Sequence, residues 1–276
     1  MLGWRRCGRG GRDGRAGGLF RPGDMVWYAG AIDRPGTNAE LHLVDERIVG
    51  RKPGSVTAAE AAALPLTTLT AYEMLFDRLR VTGARAGCGA GGADHRRLGR
   101  VRSIAIQLLR ALTDLTVVAS ASRPETQAWV KALGAQHVVD HTKPLAAQVA
   151  ALGIGAPGFV FSTTHTGSYV GEIAELIAPQ GRFGLIDDPE SLNVMPFKSK
   201  CISTHWELMF TRSLFQTADM GRQGEILNEV AGLVDAGRIR STATEVLGAI
   251  NAANLKRAHA ILESGKARGK LVLEGF

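Results

Sequence analysis

Apolar positions recur along most of this chain with two alternating periods. From residue 103, a run spaced for one helical face (103–112) leads to the extended apolar segment Thr116-Val-Val-Ala119. A helix over 124–133 stopped by Gly134, a strand 137–139, a helix 145–152, a strand 158–161, a helix 168–177 and a strand 182–186 follow. Four short strands separated by helices predict an α/β fold. Its sheet should be parallel and doubly wound, with right-handed crossovers and a ligand site beyond the carboxyl ends of the strands. Further on, 202–210 reads as a strand, 225–236 as an amphipathic helix ending at Gly237, 254–263 as a helix and 270–274 as a closing strand.

Upstream, 25–28 and 39–44 alternate in the manner of strands, with Gly30 and Pro35-Gly36 as turn signals, which predicts an antiparallel, barrel-like piece. Residues 55–64 have a helix start, with Ser55 or Thr57 as cap and Glu60 in the first turn, and 70–79 reads as another helix. Two stretches, 5–18 and 84–102, have no period and are rich in Arg and Gly. The second matters most, because a dinucleotide-binding half needs a buried strand, a tight glycine turn and a helix N-terminus that accepts pyrophosphate. Here the helix and the next strand are present, while Arg and Gly replace the first strand and its turn.

With 276 residues, 45% of them apolar, the chain can bury a sizeable core, and two domains are expected. A net charge of +7 would ordinarily suggest nucleic acid or an acidic membrane. However, the two Arg/Gly stretches each hold five arginines against one aspartate, and the remainder is close to neutral. The stretches also lack aromatic residues for base stacking. No nucleic-acid partner is therefore expected. Cys7, Cys88 and Cys201 are scattered and odd in number, which excludes a disulfide framework and a Cys-x-x-Cys metal site and fits a reducing compartment, with the cytoplasm as the expected location. The sequence has no apolar run of membrane-spanning length and no apolar core of a signal peptide, so no membrane partner is expected either.

Three ordered blocks carry a resemblance: Glu60-Ala-Ala-Ala-Leu-Pro-Leu-Thr-Thr-Leu-Thr-Ala71, Leu133-Gly-Ala-Gln-His-Val-Val-Asp-His141, and Ala258-His-Ala-Ile-Leu-Glu-Ser-Gly-Lys-Ala-Arg-Gly-Lys-Leu-Val-Leu273. Together they resemble the medium-chain dehydrogenase/reductase superfamily, in its zinc-type alcohol dehydrogenase-like, quinone oxidoreductase-related branch. The resemblance covers 20–80 and 103 to the end. It implies a Rossmann-like doubly wound parallel sheet (67–240) and a partial GroES-like β-barrel catalytic domain (1–66, resumed at 241–276). It also implies NADPH as cofactor, reduction of a quinone, enone or other activated carbonyl as a small-molecule substrate, and a homodimer, with the strand 202–210 extending the sheet across two subunits.

The chain departs from the family in three places. The family carries further strands upstream of Leu2-Gly-Trp4. Residues 5–18 stand where it has an apolar strand and turn. Its glycine-rich phosphate loop aligns with Arg96-Arg-Leu-Gly-Arg-Val-Arg-Ser103, where only Gly99 and Val101 keep the expected type. Out-of-frame reading of a GC-rich gene would produce both tracts, with recovery at Leu19 and Ser103; a natural Arg/Gly loop is the alternative. Because side chains obstruct the close backbone approach that glycine permits, NADPH binding is expected to be weakened. A non-catalytic remnant of such an enzyme is the rival reading, and an RNA-binding Arg/Gly protein is a third, disfavoured one.

The expected cofactor-binding residues are Thr70, Gly99, Val101, Ser103, Ser122, Arg123, Ser162, Thr163 and Lys270. Ser122-Arg123 follows the strand 116–119, where a guanidinium and a hydroxyl suit the 2′-phosphate of NADPH and an acid would favour NAD; capping of the next helix is the plain alternative. Ser162 and Thr163 follow a strand end facing the crevice. By resemblance Thr70 approaches the nicotinamide, while Lys270 would reach phosphates. No catalytic residue can be assigned: Thr70, Tyr72 and a water are equal candidates for an oxyanion partner. Asp187-Asp188 reads as a solvated pair. No metal is expected, since His42, His165 and His205 are isolated and Gly3-Trp4 stands where zinc enzymes carry Gly-His-Glu.

Overall fold

The backbone of Arg6–Arg9 forms strand β1, antiparallel to β2 (Met25–Tyr28), which pairs in turn with β3 (Val49–Arg51) in this computed structural model. The structure describes residues 6–9, 18–81, 88–90, 100–264 and 269–276, with 6–9, 88–90 and 100 described by backbone alone. Val26, Trp27 and Tyr28 are all buried, so both faces of β2 are covered. Helix α1 (Ala58–Ala62) begins at Thr57, whose hydroxyl accepts the Glu60 N–H at 3.2 Å while the Glu60 carboxylate accepts the Thr57 N–H at 2.8 Å, a reciprocal cap. Helix α2 (Pro65–Tyr72) continues into a π-helical turn, Glu73–Arg78.

The chain divides into two units, Met1–Thr70 with Leu208–Phe276, and Ala71–Glu207. The second contains β4 (Cys88–Ala90), α3 (Arg100–Leu112), β5 (Val117–Ser120), α4 (Pro124–Ala132), β6 (His137–Val139), α5 (Leu145–Ala151), β7 (Phe159–Ser162), α6 (Val170–Leu176), β8 (Arg182–Leu185) and β9 (Ser203–Trp206). Its six strands lie in the order β6-β5-β4-β7-β8-β9, each pair parallel. This is the doubly wound dinucleotide-binding order, reversing between β4 and β7. All residues of β5 and β7 are buried, as are Ile104, Ala105, Ile106, Leu108 and Leu109 on α3. On β8, a Cβ at Gly184 would overlap the thioether of Met74, so glycine leaves room for that side chain of the π-helical turn on the sheet.

The chain then returns to the first unit through α7 (Thr211–Leu214), α8 (Arg222–Asp235), β10 (Ala243–Val246), α9 (Ala252–Glu263) and β11 (Lys270–Val272), the last pairing parallel with β10. Helix α8 packs on β3: a Cβ at Gly224 would come within 2.7 Å of the Arg47 carbonyl, and the Arg51 N–H donates to Asn228 Oδ1 at 2.8 Å. Residues 208–240 fall in the first unit, whereas the resemblance implied a cofactor domain over 67–240.

Several expected elements change. The approach to α3 contains a strand after all, since β4 runs between β5 and β7 inside the Arg/Gly stretch; three small residues carry no readable period, and two neighbouring ladders specify them instead. Residues 39–44 form no strand. Their alternation points His42 inward, stacked on Tyr28 at 5.6 Å between ring centroids, and leaves Leu41 and Leu43 87% and 84% exposed. The strand expected over 202–210 is confined to β9.

Candidate functional site

A parallel sheet brings the carboxyl ends of all its strands to one edge, and the reversal between β4 and β7 opens a crevice there. Two groups of expected residues lie at this edge, one at the end of each strand flanking β4. Ser122 and Arg123 follow β5, both half-buried, and Arg123 is the N-cap residue of α4 with Pro124 next. Its Nε lies 3.4 Å from Glu125 Oε1, with both side chains well exposed, so this ion pair is worth about 1 kcal/mol or less and leaves the guanidinium recruitable. Ser162 ends β7, fully buried, its Oγ 2.7 Å from Thr166 Oγ1. Thr163 Oγ1 is buried with no hydrogen-bond partner among the described residues.

The α3 residues behave differently. Val101 is half-buried in the first turn, and Ser103 Oγ accepts the indole N–H of Trp129 at 3.0 Å, which ties α3 to α4. Gly99 lies outside the described residues. Arg102, one of the arginines in the segment that aligns with the family's phosphate loop, is buried, and its guanidinium donates to the Ser120 carbonyl at the tip of β5. Thr70 and Lys270 belong to the first unit. Thr70 Oγ1 donates to the Leu66 carbonyl at 2.8 Å, and Lys270 is buried in β11 with its N–H bonded to the Thr242 carbonyl. Tyr72 is buried against Phe76.

Two carboxylates escaped the sequence reading because nothing in their local pattern marks them. Glu73, in the π-helical turn, and Glu207, just after β9, are both buried, and Arg78 Nε lies 2.8 Å from Glu207 Oε2. Burial first, and then the neighbouring Glu73 charge, raise the Glu207 pKa from 4.5 to about 8 against the opposing pull of Arg78. Asp187 is half-buried and accepts two bonds from Thr166, in contrast to exposed Asp188.

Among the described residues no group of three or more His, Cys, Asp or Glu side chains converges as metal ligands. His42 spends Nδ1 on the Tyr28 hydroxyl and Nε2 on the Pro35 carbonyl, His165 bonds Thr164, and His205 bonds Ser203. These donor sets do not fit a zinc ion, which needs three or four converging N, S or O ligands. Nor is any helix among the described residues long and apolar enough to cross a membrane.

The zinc-binding dehydrogenase family matches residues 133–273. A zinc-type alcohol dehydrogenase-like protein of Staphylococcus aureus is 36% identical over 259 residues, covering 92% of this chain and 76% of its own length. A crystal structure of a zinc-dependent alcohol dehydrogenase candidate from Rhizobium etli superposes with a TM-score of 0.95 at 61% identity, over 100% of this chain and 81% of that one. Escherichia coli quinone oxidoreductase complexed with NADPH is similar in fold alone, with a TM-score of 0.78 at 19% identity, over 99% and 81% of the two chains. With the parallel sheet in dinucleotide-binding order and relatives matching along nearly its whole length, the chain belongs to the zinc-type alcohol dehydrogenase-like branch of the medium-chain dehydrogenase/reductase superfamily, a family of oxidoreductases.

Proposed function

We infer that this chain is built as an NADPH-dependent, zinc-independent reductase acting on a quinone, enone or other activated carbonyl. The observation that carries this reading is the placement of Ser122 and Arg123 at the carboxyl end of β5, beside the strand where the sheet order reverses. In this position a dinucleotide-binding sheet receives the adenosine ribose. Arg123 offers a planar fork to a 2′-phosphate dianion, a stronger partner than the exposed Glu125 it now meets, and Ser122 adds a hydroxyl. The NADPH complex of the Escherichia coli quinone oxidoreductase, similar in fold, supports the same cofactor.

Bound in the crevice, the nicotinamide would supply the hydride. The chain's own residues would hold it: Ser122 and Arg123 at the adenosine end, Ser162 and Thr163 at the end of β7, and Gly99, Val101 and Ser103 beside the phosphates. In this reading the first unit, which carries the candidates Thr70 and Lys270, is the catalytic domain, and the second unit is the cofactor domain. β9, the outer strand of the sheet, pairs with its copy in a homodimer.

One observation favours the rival, a remnant with weak cofactor binding. The Arg102 guanidinium, from the first turn of α3, is bonded to the tip of β5, in a segment that aligns with the family's glycine-rich loop. Titration decides between the two. The reductase reading expects NADPH to bind in preference to NADH, with Arg123→Ala erasing the preference by about tenfold, and expects turnover of a quinone. A folded chain that binds neither nucleotide overturns it in favour of the remnant.

A further inference from the structure

The loop that follows β7 is held in an unusual shape by a carboxylate from the neighbouring strand. Ser162 ends β7, and the chain turns sharply through Thr163, Thr164 and His165 into the 3₁₀ turn Thr166–Tyr169 that leads to α6. His165 sits in the left-handed region at φ 51°, ψ 28°. A side chain there costs of order 1 kcal/mol or more and persists only where the surroundings enforce it. Here the enforcing group is Asp187, two residues past β8. Its Oδ2 accepts the Thr166 N–H at 2.9 Å and its Oδ1 accepts the Thr166 hydroxyl, which also lies 2.7 Å from Ser162 Oγ. Ser162 and Leu185 are register partners on adjacent parallel strands, so the carboxylate bridges the two strand ends directly over the ladder. Thr166 is wholly buried, and bonds to an ionised acceptor in such a place are about twice as strong as neutral ones.

The bridge stands on the opposite side of β4 from Ser122 and Arg123. A dinucleotide spans the reversal point with one half on each side. If its adenosine end lies on the β5 side, the nicotinamide half faces the loop after β7. That loop carries the buried Thr163 hydroxyl with no partner among the described residues. We propose that Asp187 is a positioning residue: through Thr166 it locks the 163–166 loop in the shape that receives the nicotinamide half of the cofactor. The proposal rests on the dinucleotide-binding reading above. It replaces the view of Asp187-Asp188 as a solvated acidic pair.

The test compares two ligands on the full chain, by calorimetry or saturation-transfer NMR. NADPH fills both halves of the crevice, and adenosine 2′,5′-bisphosphate fills only the β5 side. Asp187→Ala should weaken NADPH by about tenfold or more while leaving the bisphosphate unchanged. Asp187→Asn, whose amide oxygen still accepts the Thr166 N–H, should recover part of the loss. Thr166→Val keeps the side-chain shape but deletes the hydroxyl, and should reproduce the selective loss even if Asp187→Ala does not fold. Equal weakening of both ligands, or no weakening of NADPH, overturns the proposal. A wild-type chain that binds neither ligand instead overturns the dinucleotide reading on which it rests.

Discussion

Arg102 is the side chain with the most to say about the proposed phosphate site. In the family's loop, glycine lets the backbone approach the phosphates and lets the helix pack closely on the sheet. In this chain a long cation is buried in that place and bonded to the Ser120 carbonyl. Its charge favours phosphate while its bulk occupies the end of β5, and a filled volume is the harder obstacle, because neutralising charge cannot help a ligand that does not fit. Arg102→Gly should therefore tighten NADPH binding by roughly tenfold, read by quenching of tryptophan fluorescence. Weaker binding would show that charge dominates. The sequence revealed Arg102 as an oddity in the loop, but its burial and its bond to a residue 18 positions away exist only in three dimensions.

At the scale of elements, the π-helical turn Glu73–Arg78 and the end of β9 form a titratable unit. Glu207 faces Glu73 and Arg78, while His205, one strand residue away from the end of β9, lies near Arg78, Arg80 and Arg182. With its pKa raised from 4.5 to about 8, folded Glu207 keeps a proton that the unfolded chain has already released. Its contribution to stability is full below 4.5 and is lost progressively as pH rises to about 8. The His205 pKa is lowered, chiefly by burial and then by Arg182, Arg80 and Arg78, so it acts in the opposite sense, costing stability as pH falls below 6.5. Glu207→Gln separates them. Urea unfolding between pH 5 and 9 should show stability declining toward alkaline pH in the wild type and a flatter profile in the variant. An unchanged slope would mean that Glu207 is ionised throughout.

The helices and strands from α3 to β8 were legible because their apolar spacing persists over enough residues to distinguish the two periods. β4 was not, since Cys88-Gly-Ala90 is too short and too small to show one. The stretch 39–44 misled because alternation reports which side chains face inward and does not supply a partner strand. Ser122, Arg123, Ser162 and Thr163 were nominated from their positions after strands, and those positions are what the structure shows. Asp187 and Thr166 were missed because the bridge joins residues 21 positions apart.

For the whole molecule, the prediction belongs to the outer edge of the sheet, strand β9. Among the described residues β9 pairs only with β8, and Trp206 is 53% exposed. An unpaired edge offers a row of backbone donors and acceptors to another strand. Thr204→Pro removes one donor and should turn a dimer into a monomer in light scattering after size exclusion, with the fold retained by circular dichroism. A wild-type monomer would refute the pairing.

The sequence by itself determined that α3 to β8 would be helices and strands in alternation, and therefore a parallel sheet, because side-chain period and crossover handedness are local properties of the chain. The tertiary structure decided that β4 lies between β5 and β7, that 208–240 packs with the first unit, that Asp187 bonds Thr166 and Arg102 bonds the Ser120 carbonyl, and that Glu73 and Glu207 are buried. Those outcomes depend on which backbone or charge stands opposite a residue after folding, and no local pattern encodes that.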